Sequence, residues 1–223
     1  MTTTAGVSGG RSPEDAGHPS RPPVIAFPAI TFLIATNLLV AFLLPIAFKR
    51  DYPANPIRLG ADWRPLSFST EWWRLITSSF VHIEVLHLLG NMVGLWIFGK
   101  RVERLLGSLG VLAFYLGCAM LGNVIALLMY PTVVGYGASL AVVGLAGILA
   151  VVYGRRFALL STRAKWKYGL LVLFVAGLVR HEFADTHYFV HTVGLLIGVT
   201  FALVLECLGS RNVNRYWASM QKP

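Results

Sequence analysis

The sequence predicts an all-α membrane protein: six transmembrane helices forming one bundle, with a long interfacial loop after the first. Three observations carry that reading. Of 223 residues, 56% are hydrophobic and only 13% charged, against roughly 25% charged in an ordinary soluble domain. The mean hydropathy of +0.65 in so short a chain leaves little mass for a separate soluble domain. Apolar stretches recur from Val24 onward, separated by basic clusters.

Met1–Pro23 is polar, rich in Gly, Ser, Thr and Pro, and has no apolar h-region, so it reads as a disordered tail. Six apolar stretches follow: Val24–Phe48, Val85–Gly99, Leu109–Tyr130, Ser139–Tyr153, Tyr168–Val179 and His187–Leu208. A helix needs about 20 apolar residues to cross the bilayer core, so the first, third and sixth are comfortable spans. The other three are short, which is tolerated where they are buried among neighbouring helices. The membrane domain is thus 24–208, and residues 209–223 read as a second tail. The loop Lys49–Ile83 carries Tyr52, Trp63, Phe68, Trp72 and Trp73, residues that favour the membrane interface. Cys118 and Cys207 lie in apolar stretches without paired spacing and read as packing residues.

A net charge of +9 raises the question of nucleic acid. With the N-terminus inside, thirteen of the nineteen Lys and Arg fall on the inner side, including Lys100, Arg101, Arg104, Arg155, Arg156, Arg163, Lys165 and Lys167. The positive-inside rule then accounts for the excess and puts both termini in the cytoplasm. Nucleic acid is not needed as a partner; the lipid bilayer is.

Chemistry is suggested by polar residues in apolar segments. Ser139 begins one such segment and His191 lies in another. A buried hydroxyl and a buried imidazole are costly unless partnered, and each is a natural partner of the other. A neutral imidazole that takes the hydroxyl proton makes the serine a nucleophile, which points to hydrolysis within a membrane. Taken alone, Ser139 among Gly137, Ala141, Gly144 and Gly147 equally fits a close-packing surface. Gly194 and Gly198 form a GxxxG surface that would let a neighbouring helix approach and bring His191 to the serine. His87 and Asn91, four apart, share one helix face. They form either an inter-helix hydrogen-bonding pair or, in the case of the Asn91 amide, a donor for an oxyanion. A zinc protease would need HExxH, whereas His82 and His87 are five apart and share no face. A transporter would need paired discontinuous helices, and none is evident.

Four blocks resemble the rhomboid intramembrane serine proteases, in order, spacing and placement on segments two, four and six. They are Glu71-Trp-Trp-Arg74, His82 with His87-Leu-Leu-Gly-Asn91, Gly137-Ala-Ser139, and His191-Thr-Val-Gly-Leu-Leu-Ile-Gly198. The resemblance implies a Ser139–His191 dyad without an acidic member, metal or cofactor. It implies an oxyanion hole from Asn91, His87 and the Ser139 backbone N–H. Arg74 would brace the first loop and His82 would order polar contacts, with Gly137, Gly194 and Gly198 as structural support. The implied substrates are transmembrane segments of membrane proteins, cut near the outer face, and the implied location is the cell membrane of a prokaryote. A rhomboid-like binder of transmembrane helices, acting as chaperone or adaptor, is the alternative. The chain departs from the family at Leu140, where a second glycine is usual, and at Val143, where Tyr or Phe usually stacks on the histidine. Leu140 is expected to crowd the nucleophile, and Val143 to leave one imidazole face uncovered.

Overall fold

The structure, a computed structural model, describes residues 27–184, 189–209 and 211–220. The expected N-terminal tail and Val24–Ala26 of the first span lie outside them, as does His187 at the start of the sixth. Among the described residues three helical runs are long and apolar enough to cross a membrane: Pro28–Ala47, Val85–Met129 and Val190–Cys207. The first is α1. The second joins α4 (Val85–Gly94), a π-helical turn (Leu95–Gly99) and α5 (Lys100–Met129). The third is α8. A shorter apolar helix, α6 (Ser139–Gly154), and the longer but more polar α7 (Thr162–Ala184) lie between them.

Segments two and three, expected as separate helices, therefore form one run of 45 residues. At about 1.5 Å per residue that run would be about 68 Å long, more than twice a bilayer core of about 30 Å. The chain resolves the mismatch at Gly107, whose φ of 75° and ψ of 169° leave the helical region. Residues with a side chain rarely reach that φ, and the glycine stands where the expected loop was. Segment five was expected over Tyr168–Val179, but α7 begins at Thr162 and ends at Ala184. Its first residues are polar yet good helix formers, so apolarity marks only its middle.

The connection from α1 to α4 holds strand β1 (Asp62–Trp63) and the short helices α2 (Arg64–Ser67) and α3 (Arg74–Thr77). β1 pairs antiparallel with β2 (Val134–Gly135), with Asp62 opposite Gly135 and Trp63 opposite Val134. The loop is thereby stitched to the chain just before Ser139. The start of α1 is held from a distance: the buried Glu103 carboxylate accepts the N–H of Ala29 at 3.0 Å and of Ile30 at 3.2 Å. Those donors are among the unpaired ones at a helix start, and negative charge is favoured there. Residues 209–223, expected as a tail, include helix α9 (Arg211–Met220). Its Val213, Tyr216 and Trp217 are buried against the core.

The core centres on α6 packed against α8. A Cβ on Gly194 would overlap the Leu140 carbonyl oxygen, and one on Gly198 would overlap that of Gly144. From the other side, a Cβ on Gly147 would lie 2.8 Å from the Leu195 carbonyl oxygen. Contacts rise together along both chains, so the helices run parallel and both start at the same end. At their far ends Arg156 pairs bidentately with Glu206. Gly198→Ala should force the backbones apart. Overpacking of this kind costs typically 1–3 kcal/mol, so a fall of several degrees in the unfolding temperature in detergent is expected. An unchanged unfolding temperature would show that the helices are not in backbone contact.

Candidate active site

Ser139 is the first residue of α6 and His191 the second of α8, so both sit at the shared starting end of the parallel pair. His191 lies one turn before Gly194, the first glycine of the contact, and thus level with the turn that delivers Ser139. The two residues line the same cavity of about 300 Å³, together with Asp62, Glu84, His87 and Asn123. They also line a larger, mainly apolar groove of about 790 Å³ between α4, α6 and α7, where Asn91 and Val143 join them.

The serine turn is built by glycine and histidine. Gly137 has φ of +100°, and a Cβ there would come within 2.5 Å of the His87 ring. Its N–H donates to the Ser78 carbonyl at 2.9 Å. Next to it, the Ala138 N–H donates to His82 Nε2 at 3.3 Å, and the Asn91 side-chain amide lies 2.9 Å from the same nitrogen. A backbone N–H can only donate, so Nε2 accepts and the ring proton sits on Nδ1. Burial, reinforced by the neighbouring His87, lowers the His82 pKa to about 4, keeping it a neutral acceptor at pH 7. His82 therefore joins α4 to the serine turn. One amide proton of Asn91 is engaged there, leaving the other available.

His87 is half-buried beside the Glu84 carboxylate at 3.6 Å, with its ring 5.1 Å from that of His82. Arg74 donates to the Glu71 carboxylate at 2.6 Å and to the carbonyls of Ile57 at 2.7 Å and Ala61 at 2.8 Å, tying together three parts of the first loop. Leu140 is accommodated rather than crowded. Its side chain is buried against Gly122 of α5, where any Cβ would overlap the Leu140 methyl groups. The glycine missing after Ser139 has a counterpart across the interface.

Several cavity residues escape the sequence reading, among them Glu84, Asn123 and Asp62. Asn123 of α5 donates to the Leu75 carbonyl at 2.9 Å and to Ser78 Oγ at 3.1 Å, fastening the loop to the helix. As a polar residue in an apolar span, it meets the criterion that singled out Ser139 and His191. Asp62 lies in a polar loop, where nothing in the sequence marks it.

Asp62 is 1% exposed and its carboxylate abuts Gly135, where a Cβ would overlap it. Burial raises its pKa from 3.8 to about 7, opposed by backbone hydrogen bonds at Asp62 and Gly135 and by the Arg74 charge. Between these values the folded state binds more protons than the unfolded one, so this contribution to stability is lost as pH rises. Asp62→Asn should therefore gain on the parent in unfolding temperature as pH rises from about 4 to about 7, then level off. Taking the difference removes the opposite trend from His82, whose lowered pKa loses stability as pH falls. A difference independent of pH would remove the buried carboxyl from this account.

The model of the rhomboid domain matches residues 69–206, well over half of the chain. The chain is 28% identical over 184 residues to Rhomboid-like protease 3 of Toxoplasma gondii, covering 81% of this chain and 69% of that one. It is 36% identical over 128 residues to Rhomboid protease GluP of Bacillus subtilis (strain 168), covering 56% of this chain and 25% of that one. It is also 28% identical over 149 residues to the mitochondrial RHOMBOID-like protein 6 of Arabidopsis thaliana, covering 66% of this chain and 48% of that one. The chain thus spans less than half the length of the latter two. With its apolar helices and a matched region that contains Ser139, His191, Asn91 and His87, this multi-pass integral membrane protein belongs to the rhomboid family of intramembrane proteases.

Proposed function

We propose that the chain is an intramembrane serine endopeptidase that cuts transmembrane segments of membrane proteins with a Ser139–His191 dyad. The observation that carries this reading is the meeting of Ser139 and His191 in one cavity, at the aligned starts of two helices in backbone contact. In the proposed reaction Ser139 Oγ attacks the scissile carbonyl carbon while His191 takes its proton. The negative charge on the carbonyl oxygen is held by the free amide proton of Asn91, by His87 and by the Ser139 N–H. The positive ends of the α6 and α8 helix dipoles add a favourable field at the same place. Collapse of the intermediate breaks the C–N bond, and His191 protonates the departing amine. His191 then activates water, which hydrolyses the acyl-enzyme and returns the proton to Ser139.

The membrane arrangement in this reading is a six-helix bundle of α1, α4, α5, α6, α7 and α8, with Lys49–Ile83 at the outer interface. Both termini are cytoplasmic, in the cell membrane of a prokaryote. Trp72 and Trp73, 60% and 46% exposed, suit a loop that rests in the interface. The apolar groove between α4 and α7 opens beside Ser139 and suits the approach of a transmembrane segment.

Ser139→Ala and His191→Ala should each abolish cleavage of a reconstituted single-span substrate while leaving the unfolding temperature near that of the parent. Loss of either member of a catalytic unit costs about as much as loss of both. Near-normal turnover by folded His191→Ala protein would remove the dyad.

A further inference from the structure

A second polar cavity, of about 250 Å³, lies at the opposite end of the bundle from Ser139. Ser139 opens α6 and Tyr153 is its penultimate residue, so about 21 Å of helix separates the two places. Four cations line this cavity: Arg101 and Arg104 from α5, and Arg163 and Lys167 from α7. Among the described residues none of the four forms an ion pair with a carboxylate. The nearby acids are engaged elsewhere, Glu103 with the start of α1 and Glu206 with Arg156. The first turn of α7 also borders the cavity through Ser161 and Ala164, which adds the positive end of a 23-residue helix. Tyr153 and Tyr216, joined by a 2.7 Å hydrogen bond, form part of its wall.

The positive-inside rule asks only that such cations lie in inner loops. It does not ask them to converge from two helices on one cavity. Nor does it account for what adjoins that cavity: Arg101, Tyr153 and Lys167 also line the apolar groove that runs between α4 and α7. A concentrated positive charge opening onto an apolar channel matches a phosphate with a hydrocarbon chain attached.

We propose that this cavity binds an anionic phospholipid, its phosphate held by Arg101, Arg104, Arg163 and Lys167 and one acyl chain lying in the groove. The site requires that the protein be embedded in a membrane, and it is independent of whether Ser139 cleaves anything. A bound chain would occupy the groove beside α7, so the lipid would compete there with any transmembrane segment.

The test uses the full chain in detergent, titrated with phosphatidylglycerol, phosphatidylcholine or inorganic phosphate. Retained lipid is read by native mass spectrometry, and unfolding temperature in parallel. Phosphatidylglycerol should be retained and should stabilise, whereas phosphatidylcholine and inorganic phosphate should not. The double variant R163Q/K167Q, altered at exposed positions, should bind phosphatidylglycerol roughly ten- to thirty-fold more weakly, from the usual contribution of each cation near an anionic lipid. R155Q/K165Q removes the same charge outside the cavity and should bind as the parent does. Equal retention of phosphatidylcholine, or an equal loss in R155Q/K165Q, would overturn the site. Equal stabilisation by inorganic phosphate would reduce it to a free-anion site and overturn the lipid. Undiminished binding by folded R163Q/K167Q protein would also overturn the site.

Discussion

Backbone contact between α6 and α8 is the constraint on which the rest of this structure depends. Gly144 and Gly147 on one helix and Gly194 and Gly198 on the other leave no room for a Cβ at the crossing. In lipid there is no hydrophobic gain from burying one apolar helix against another, so close van der Waals packing has to supply the association. Two parallel helices brought this near set their starting residues side by side. Ser139 and His191 occupy those starts, so the same contact that holds the bundle together also sets the geometry of the candidate site.

The start of α6 is not left to that contact alone. His82 accepts from Ala138, Gly137 donates to Ser78, and Asp62 sits opposite Gly135, so three segments converge on the turn before the serine. Arg74 and Asn123 in turn hold those segments, one through carbonyls of the first loop and one from α5. Each of these polar groups is buried or half-buried at the rim of an apolar bundle, where an unmade hydrogen bond is expensive. The loop is therefore ordered by the requirement to satisfy its own backbone. Leu140 fits the same frame: its bulk rests in the space left by Gly122, so the departure from the family's glycine is absorbed by α5.

Much of this was legible in the sequence because a bilayer penalises polar groups so heavily. A serine, a histidine and an asparagine in apolar segments stand out, and the GxxxG pair states where helices can touch. What was not legible has physical reasons. The strand pair at Asp62–Trp63 and Val134–Gly135 is two residues long, too short to show any alternation. Helix α9 is amphipathic and charged, so hydropathy passes over Val213, Tyr216 and Trp217. Within Val85–Met129 the charged stretch near Lys100 suggests a loop, but the helix continues through it and breaks only at Gly107, a position that hydropathy does not single out. Asp62 carries no sequence signal, since an acidic residue in a polar loop looks like any solvated one until the fold buries it.

Whether His191 activates Ser139 is read directly by active-site labelling. A serine-reactive fluorophosphonate, applied to the protein in membranes and located by peptide mass spectrometry, should modify Ser139 in the parent. It should fail to do so in His191→Ala protein that remains folded. An unlabelled Ser139 in the parent, or labelling that persists without His191, would contradict the claim that the contact between α6 and α8 assembles a working nucleophile.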